Sequence, residues 1–492
     1  MRLFLMITLC LTAGISSAFA QENLVSEDKR TSLDISIYNQ NMAFVKDVRS
    51  TDLSEGINDI AFEGVASAIK PETAILFADE IKVLEQNYDY DLLTPVNILD
   101  KSVGQKVKTA VVNPMTGSDI FNHAEIVSTA GNMPVLAFDY GIETEFPGRI
   151  IFEKLPQGLR SKPSLVAKII SQTQTKKDIS LAYLTNGINW KTDYVAKVED
   201  DNHLDLTGWV TINNESGTDY KDARIQLIAG SVNEVPQVVS GRRFAVMKAA
   251  VAIDYAADNG ISEGASEQDL SGYHLYTLPK RTTIKDKQKK QISLIEKNAV
   301  KYKKEAVIEN SLYFAPSSGA QFEQVHPAMF YVMKNEESEN LGLQLPAGII
   351  RFYENDDDGN LQFIGENSIG HTAEKETIRL RLGSFVNIFA DGKVKKTQKL
   401  SSGDPKPDGN RCKLYKDMYA YDAEIKVTNS SSKPQEAVYK QSLPADTVIT
   451  AENIKGISKN ASTFEWRFEV PAKSEKVLEF SLKSPYSRRV CD

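Results

Sequence analysis

The strongest constraint on this chain is a two-residue rhythm. In "LDISIYNQNMAFVKDVRSTDL", Leu33 to Leu53, apolar and polar residues alternate around Asn39-Gln40-Asn41. Successive side chains of a strand point to opposite faces, so the rhythm predicts half-buried strands joined by a tight turn. "GINDIAFEGV" and "AILFADEIKVLEQNY" continue it, and "LDLTGWVTINNES" and "DARIQLIAGSVNEV" repeat it further on. The 19 Tyr and 20 Phe, against 3 Trp, recur with β-branched residues in short runs, which suits sheets. A chain of 492 residues is too long for one core. The expected fold is therefore mainly β, with several β-sandwich domains, in which Trp190, Trp209 and Trp466 pack inside.

Breaks in the rhythm suggest boundaries. Residues 1–20 read as a signal peptide: Arg2, an apolar run from Leu3 to Leu11, and Ala18-Phe19-Ala20 before Gln21. That reading makes the protein exported, periplasmic or extracellular, without a transmembrane segment in the mature chain. Residues 21–93 form an N-terminal sandwich region. Near Thr94-Pro95 the texture changes to a short helix and several very short strands, and 94–160 is expected to be a small SH3-like barrel inserted into the first sandwich. Strands resume in a central β-domain, 161–401. Within it, 236–272 is Ala-rich and then rich in Gly, Ser and acid, which predicts a flexible or helical excursion. "SGDPKPDGNRC" marks a linker at 402–411, and regular strand spacing over 412–492 predicts an immunoglobulin-like sandwich.

Chemistry-bearing motifs are few. The net charge of −8 argues against a nucleic-acid binder, which needs a basic face. H-E-x-x-H, C-x-x-C, G-x-S-x-G and phosphate-loop signatures are missing, and His123, His203, His274, His326 and His371 are scattered. No catalytic or cofactor-binding residue is assigned. Cys412 and Cys491 are the two cysteines left after cleavage, and in an oxidising compartment they are expected to pair. "RFYENDDDGNLQFIGE" (Arg351 to Glu366) raises calcium as an alternative, with Asp356 and Asp358 as ligands. However, Asp-Gly between two alternating apolar segments is a hairpin signal, and the bidentate Glu of a calcium loop falls one residue late. The stretch reads first as a turn.

Four ordered blocks carry a family resemblance. They are "LAYLTNGINWKTDYVAKV", "LDLTGWVTINNESGTDYKDARIQLIAGSVNEV", "YHLYTLPKRTTIKDKQKKQISL" and "LPAGIIRFYENDDDGNLQFIGENSIGHTAEKETIRLRLGSFVNI", spanning Leu181 to Ile388. They resemble blocks of secreted bacterial proteins of the family called domain of unknown function 4139. "GHTAEKE" departs from it, since the family more often has Pro after His-Thr. Mucoidy-inhibitor-like proteins share the domain but usually carry coiled coils, and this chain has no heptads. The resemblance implies a secreted β-protein and brings no catalytic residues with it.

Together these readings predict a non-enzymatic module that binds or scaffolds an envelope protein or glycan. The alternative is a carboxylate-based hydrolase of envelope glycans or peptides, which needs two facing acids in a cleft. A calcium-stabilised adhesin is the third reading.

Overall fold

The computed structural model describes residues 22–131, 133–230, 266–270, 273–317, 319–407 and 412–491. Among the described residues strands account for 64% and helix for 4%, so the class is mainly β, with several sheets. The chain forms two compact units: one runs through residue 190 and resumes at 212–290, and the other combines 191–211 with 291–492. The central domain expected at 161–401 is thus divided between them. The expected signal peptide, 1–20, lies outside the described residues.

The first unit holds three sheets, one of them within the 94–160 segment. Of the other two, the smaller has four strands in the order Asn23–Val25, Gly56–Glu63, Ser164–Ser171, Ile81–Asp89. The larger has eight, with Arg30–Tyr38, Met42–Leu53 and Thr175–Asn186 side by side. The expected alternation is present: Leu33, Ile35 and Ile37 are buried, and so are Ile179, Leu181 and Tyr183. Most of the excursion at 236–272 falls outside the described residues. Its end does not: Ser266–Leu270 is a strand paired with Tyr273–Thr277.

Residues 94–160 are an insertion, because Ile81–Asp89 before them and Ser164–Ser171 after them are neighbours in one sheet. The helix is Pro95–Lys101, capped by Thr94, whose Oγ1 accepts from the Asn97 N–H at 3.1 Å. Five strands follow, in the order Gly141–Glu143, Val135–Phe138, Asp119–Ser128, Lys106–Val112, Arg149–Ile151. They share a core of Val107, Ile126, Leu136, Phe138 and Phe146. The sheet is open, not a closed barrel. Its outer strands have three residues each and pair on one side only, so the ladder has no closing seam.

In the second unit a ten-stranded sheet and a six-stranded sheet enclose a core around Trp466, Tyr439, Phe480, Tyr421 and Ile425. Trp466 stacks on Phe480 at 4.5 Å between ring centroids. This sandwich does not begin at 412. The Met418–Asn429 part of Cys412–Asn429 pairs with Ile388–Ser401, and Gln435–Ser442 pairs in parallel with the end of Gln288–Ile308. Within the linker expected at 402–411, Lys406–Pro407 pairs with Lys413 and Leu414, and residues 408–411 lie outside the described ones. Pro, Gly and Asp suit a turn as well as a linker, so composition alone does not separate the two.

Trp190 and Trp466 are buried, but Trp209 is 39% exposed. Leu204, Leu206, Val210 and Ile212 fix the inward phase of His203–Asn214, which turns Trp209 outward and Gly208 inward. A Cβ on Gly208 would meet the Tyr194 ring at 3.0 Å, so the inward position holds a glycine.

Candidate functional site

The structure places Asp356 and Asp358 in the turn of a hairpin, where the Asp356 carboxylate is engaged locally. The Asp356 carboxylate accepts from the backbone N–H of Asp358 (3.1 Å) and Asn360 (2.8 Å), and from Gln362 Nε2 (2.9 Å). Those bonds hold the carboxyl below its ordinary range, the Gln362 bond first. Gly359, at φ +83°, supplies the left-handed residue the turn requires. Asp356 is committed to its own hairpin between Gly348–Asn355 and Leu361–Ile369. Among the described residues no group of three or more His, Cys, Asp or Glu could hold a metal ion. Cys412 and Cys491 do come together: they are opposite each other at the ends of two 18-residue strands and are disulfide-bonded.

The convergence of ionisable groups lies elsewhere in the second unit, on one face of the ten-stranded sheet. Four neighbouring strands build it: Thr377–Ser384, Ala328–Lys334, the end of Gln288–Ile308, and Gln435–Ser442. Thr463–Val470 adjoins the last. In "KYKKE", residues 301–305, the pleat sends Tyr302 inward, where it stacks on Tyr331 at 4.9 Å. Lys301, Lys303 and Glu305 share the opposite face.

Glu305 anchors that face. Its side chain is 4% exposed. Arg379 Nη2 donates to one carboxylate oxygen at 2.5 Å, and Arg467 Nη1 to the other at 2.6 Å. Arg467 also donates through Nε to Glu465 (2.7 Å) and through Nη1 to Glu436 (3.2 Å). Burial alone would raise the Glu305 carboxyl, but the bonds from Arg467 and Arg379 outweigh it and hold it below the usual range. The same balance, burial against Arg30 and Arg49, lowers Asp47. Asp417, paired first with Lys399, is lowered too. Every carboxylate whose ionisation is displaced among the described residues moves downward. A general acid at neutral pH needs the opposite displacement.

Above Glu305 lies an open cleft of about 640 Å³. Six cationic side chains and three carboxylates line it. Lys303 and Lys334 are exposed and have no ionic partner among the described residues. Sequence reasoning did not find this site, because its central contacts join residues 74 and 162 positions apart in the chain. The one local signal was "KYKKE", in which three cations and a carboxylate crowd a strand.

The fold and cleft define the class: a multi-sandwich β-protein with a charged groove on an open sheet face. No family model matches the chain, and no curated protein matches it.

Proposed function

We propose that this is an exported binding or scaffolding module of the bacterial cell envelope, a member of the family called domain of unknown function 4139. It engages an envelope protein or glycan through the groove around Glu305 and does not cleave it. The carrying observation is the state of the buried acids. Glu305 is clamped between Arg379 and Arg467, an arrangement that fixes a charged surface and supplies no proton donor. Export is supported by the signal-like first twenty residues and by the Cys412–Cys491 bond, which suits an oxidising compartment. Among the described residues no helix is long and apolar enough to cross a membrane.

Incubation of the full chain with envelope glycan fractions tests the reading. Retention of the glycan without new reducing ends or free amines is the expected result. Release of either, abolished by Glu305→Gln or Glu436→Gln, would establish the hydrolase instead.

A further inference from the structure

We infer that the groove is a site for an oligomeric anion, a short chain carrying successive carboxylate or phosphate groups. This rests on the binding reading above and names the ligand chemistry of the same site.

Three observations carry it. The first is sign. The chain as a whole is net −8, yet the groove gathers Lys301, Lys303, Lys334, Arg379, Lys459 and Arg467 against Glu305, Glu339, Glu436 and the adjoining Glu465, which pairs with Lys459 and Arg467. A local excess opposed to the global charge focuses an attractive field for anions.

The second is the pairing of the charges. Glu305 is fully occupied by two arginines, and Lys301 lies 3.5 Å from Glu339. Lys303 and Lys334 are left over. Lys303 is opposite Val332, itself opposite Arg379. Lys301 and Lys334 stand on adjacent strands, each one position beyond the last paired residues, Tyr302 and Met333. Like charges gathered on neighbouring strands repel one another. A bound anion relieves that repulsion, and among the described residues no carboxylate pairs with Lys303 or Lys334.

The third is spacing and size. Cations at alternate positions of a strand stand about 7 Å apart, and adjacent strands about 4.8 Å apart. The groove therefore presents a two-dimensional array of positive charge, matched to an acid on every monomer of a short polymer and not to one isolated anion. Its volume of about 640 Å³ suits a segment of a few such monomers. The arginines have N–H groups beyond those given to Glu305, and a planar guanidinium suits carboxylate and phosphate alike.

Calorimetric titration of the full chain tests the inference with three probes: an oligogalacturonate, inorganic tripolyphosphate and a neutral maltooligosaccharide. Binding of at least one anion, weakened by added salt, with no binding of the neutral sugar, is expected. Oligogalacturonate alone would identify carboxylate as the recognised group, tripolyphosphate alone phosphate, and both a general polyanion site. The Lys303→Glu/Lys334→Glu variant should lose about tenfold in affinity per lysine. Lys303→Gln/Lys334→Gln should lose less. Both lysines are exposed and their removal relieves repulsion, so both variants should fold with an unfolding midpoint no lower than the wild type's. Lys476→Glu/Lys483→Glu, the same charge change on exposed residues outside the groove, should leave affinity unchanged. Equal loss in that control, or neutral-sugar binding as tight as anion binding, would overturn the inference. If no anion binds while envelope glycan is still retained intact, the ligand chemistry fails and the binding module stands. If new reducing ends appear, the binding reading itself fails.

Discussion

Replacing Asp47 by Asn should be among the most destabilising single changes in the first unit. Asp47 and Arg49 lie on Met42–Leu53 and face the interior, with side chains 3% and 0% exposed. Four charge-assisted hydrogen bonds end on the Asp47 carboxylate: Arg30 Nε at 2.9 Å and Nη2 at 2.8 Å, and Arg49 Nη2 at 2.7 Å and Nε at 3.2 Å. At about 1.5–3 kcal/mol each, a naive sum reaches roughly 6–12 kcal/mol. That overstates the loss. Arg30 is 11% exposed and can turn to water, and Arg49 Nη1 keeps the Val25 and Glu63 carbonyls at 2.6 and 2.7 Å. What remains is one fully buried guanidinium without its counter-charge, facing an amide whose NH₂ repels it. Such a loss costs about 3–5 kcal/mol. Guanidinium unfolding gives the magnitude, and hydrogen exchange of amides in 42–53 localises it. Arg49→Met combined with Asp47→Asn should cost no more than the worse single change, because the unpaired charge is gone. The Asp47 carboxyl is lowered on folding, so its contribution is present above about pH 4 and fades as pH falls through the folded value. The gap between wild type and Asp47→Asn should therefore close in acid. A cost below about 1 kcal/mol at neutral pH, or a gap unchanged in acid, would refute the buried-pair argument.

Other outcomes follow from the same structure. Non-reducing peptide mapping should recover Cys412 linked to Cys491, and Cys412→Ser/Cys491→Ser should cost up to about 4–5 kcal/mol for a sequence separation of 79, read from thermal unfolding. Gly456→Ala should cost about 1–3 kcal/mol and shift Trp466 fluorescence, since a Cβ there would stand 2.4 Å from Phe464 Cε1 and 2.6 Å from Trp466 Nε1. Asp356→Ala should cost about 1 kcal/mol through lost turn bonds, and millimolar calcium should leave the melting midpoint of both proteins unchanged. A calcium-dependent rise in the wild type alone would restore the metal reading of that hairpin.

Much of this molecule is written in short-range pattern. Alternation from Leu33 to Leu53 identifies the strands, because pleating is a property of neighbouring residues. Thr94-Pro95 marks a helix start, and Asp358-Gly359 a turn, for equally local reasons. Trp209 was legible too, had the phase set by Leu204 and Leu206 been followed through Gly208.

Which strands pair, and which face is covered, is another matter. Lys46-Asp47-Val48-Arg49 has the right rhythm but an inverted polarity: the charged residues face in, and Val48 is only half-buried. Only Arg30, Val25 and Glu63, brought together across two sheets, make that tolerable. The strands on either side of 402–411 pair with each other, Ile388–Ser401 with the Met418–Asn429 part of Cys412–Asn429. The groove exists because Arg379 and Arg467, distant in sequence, both reach Glu305. Period and turn chemistry are local, so the sequence determined the elements by itself. Pairing and charge compensation depend on residues far apart in the chain, so only the tertiary structure decided the site.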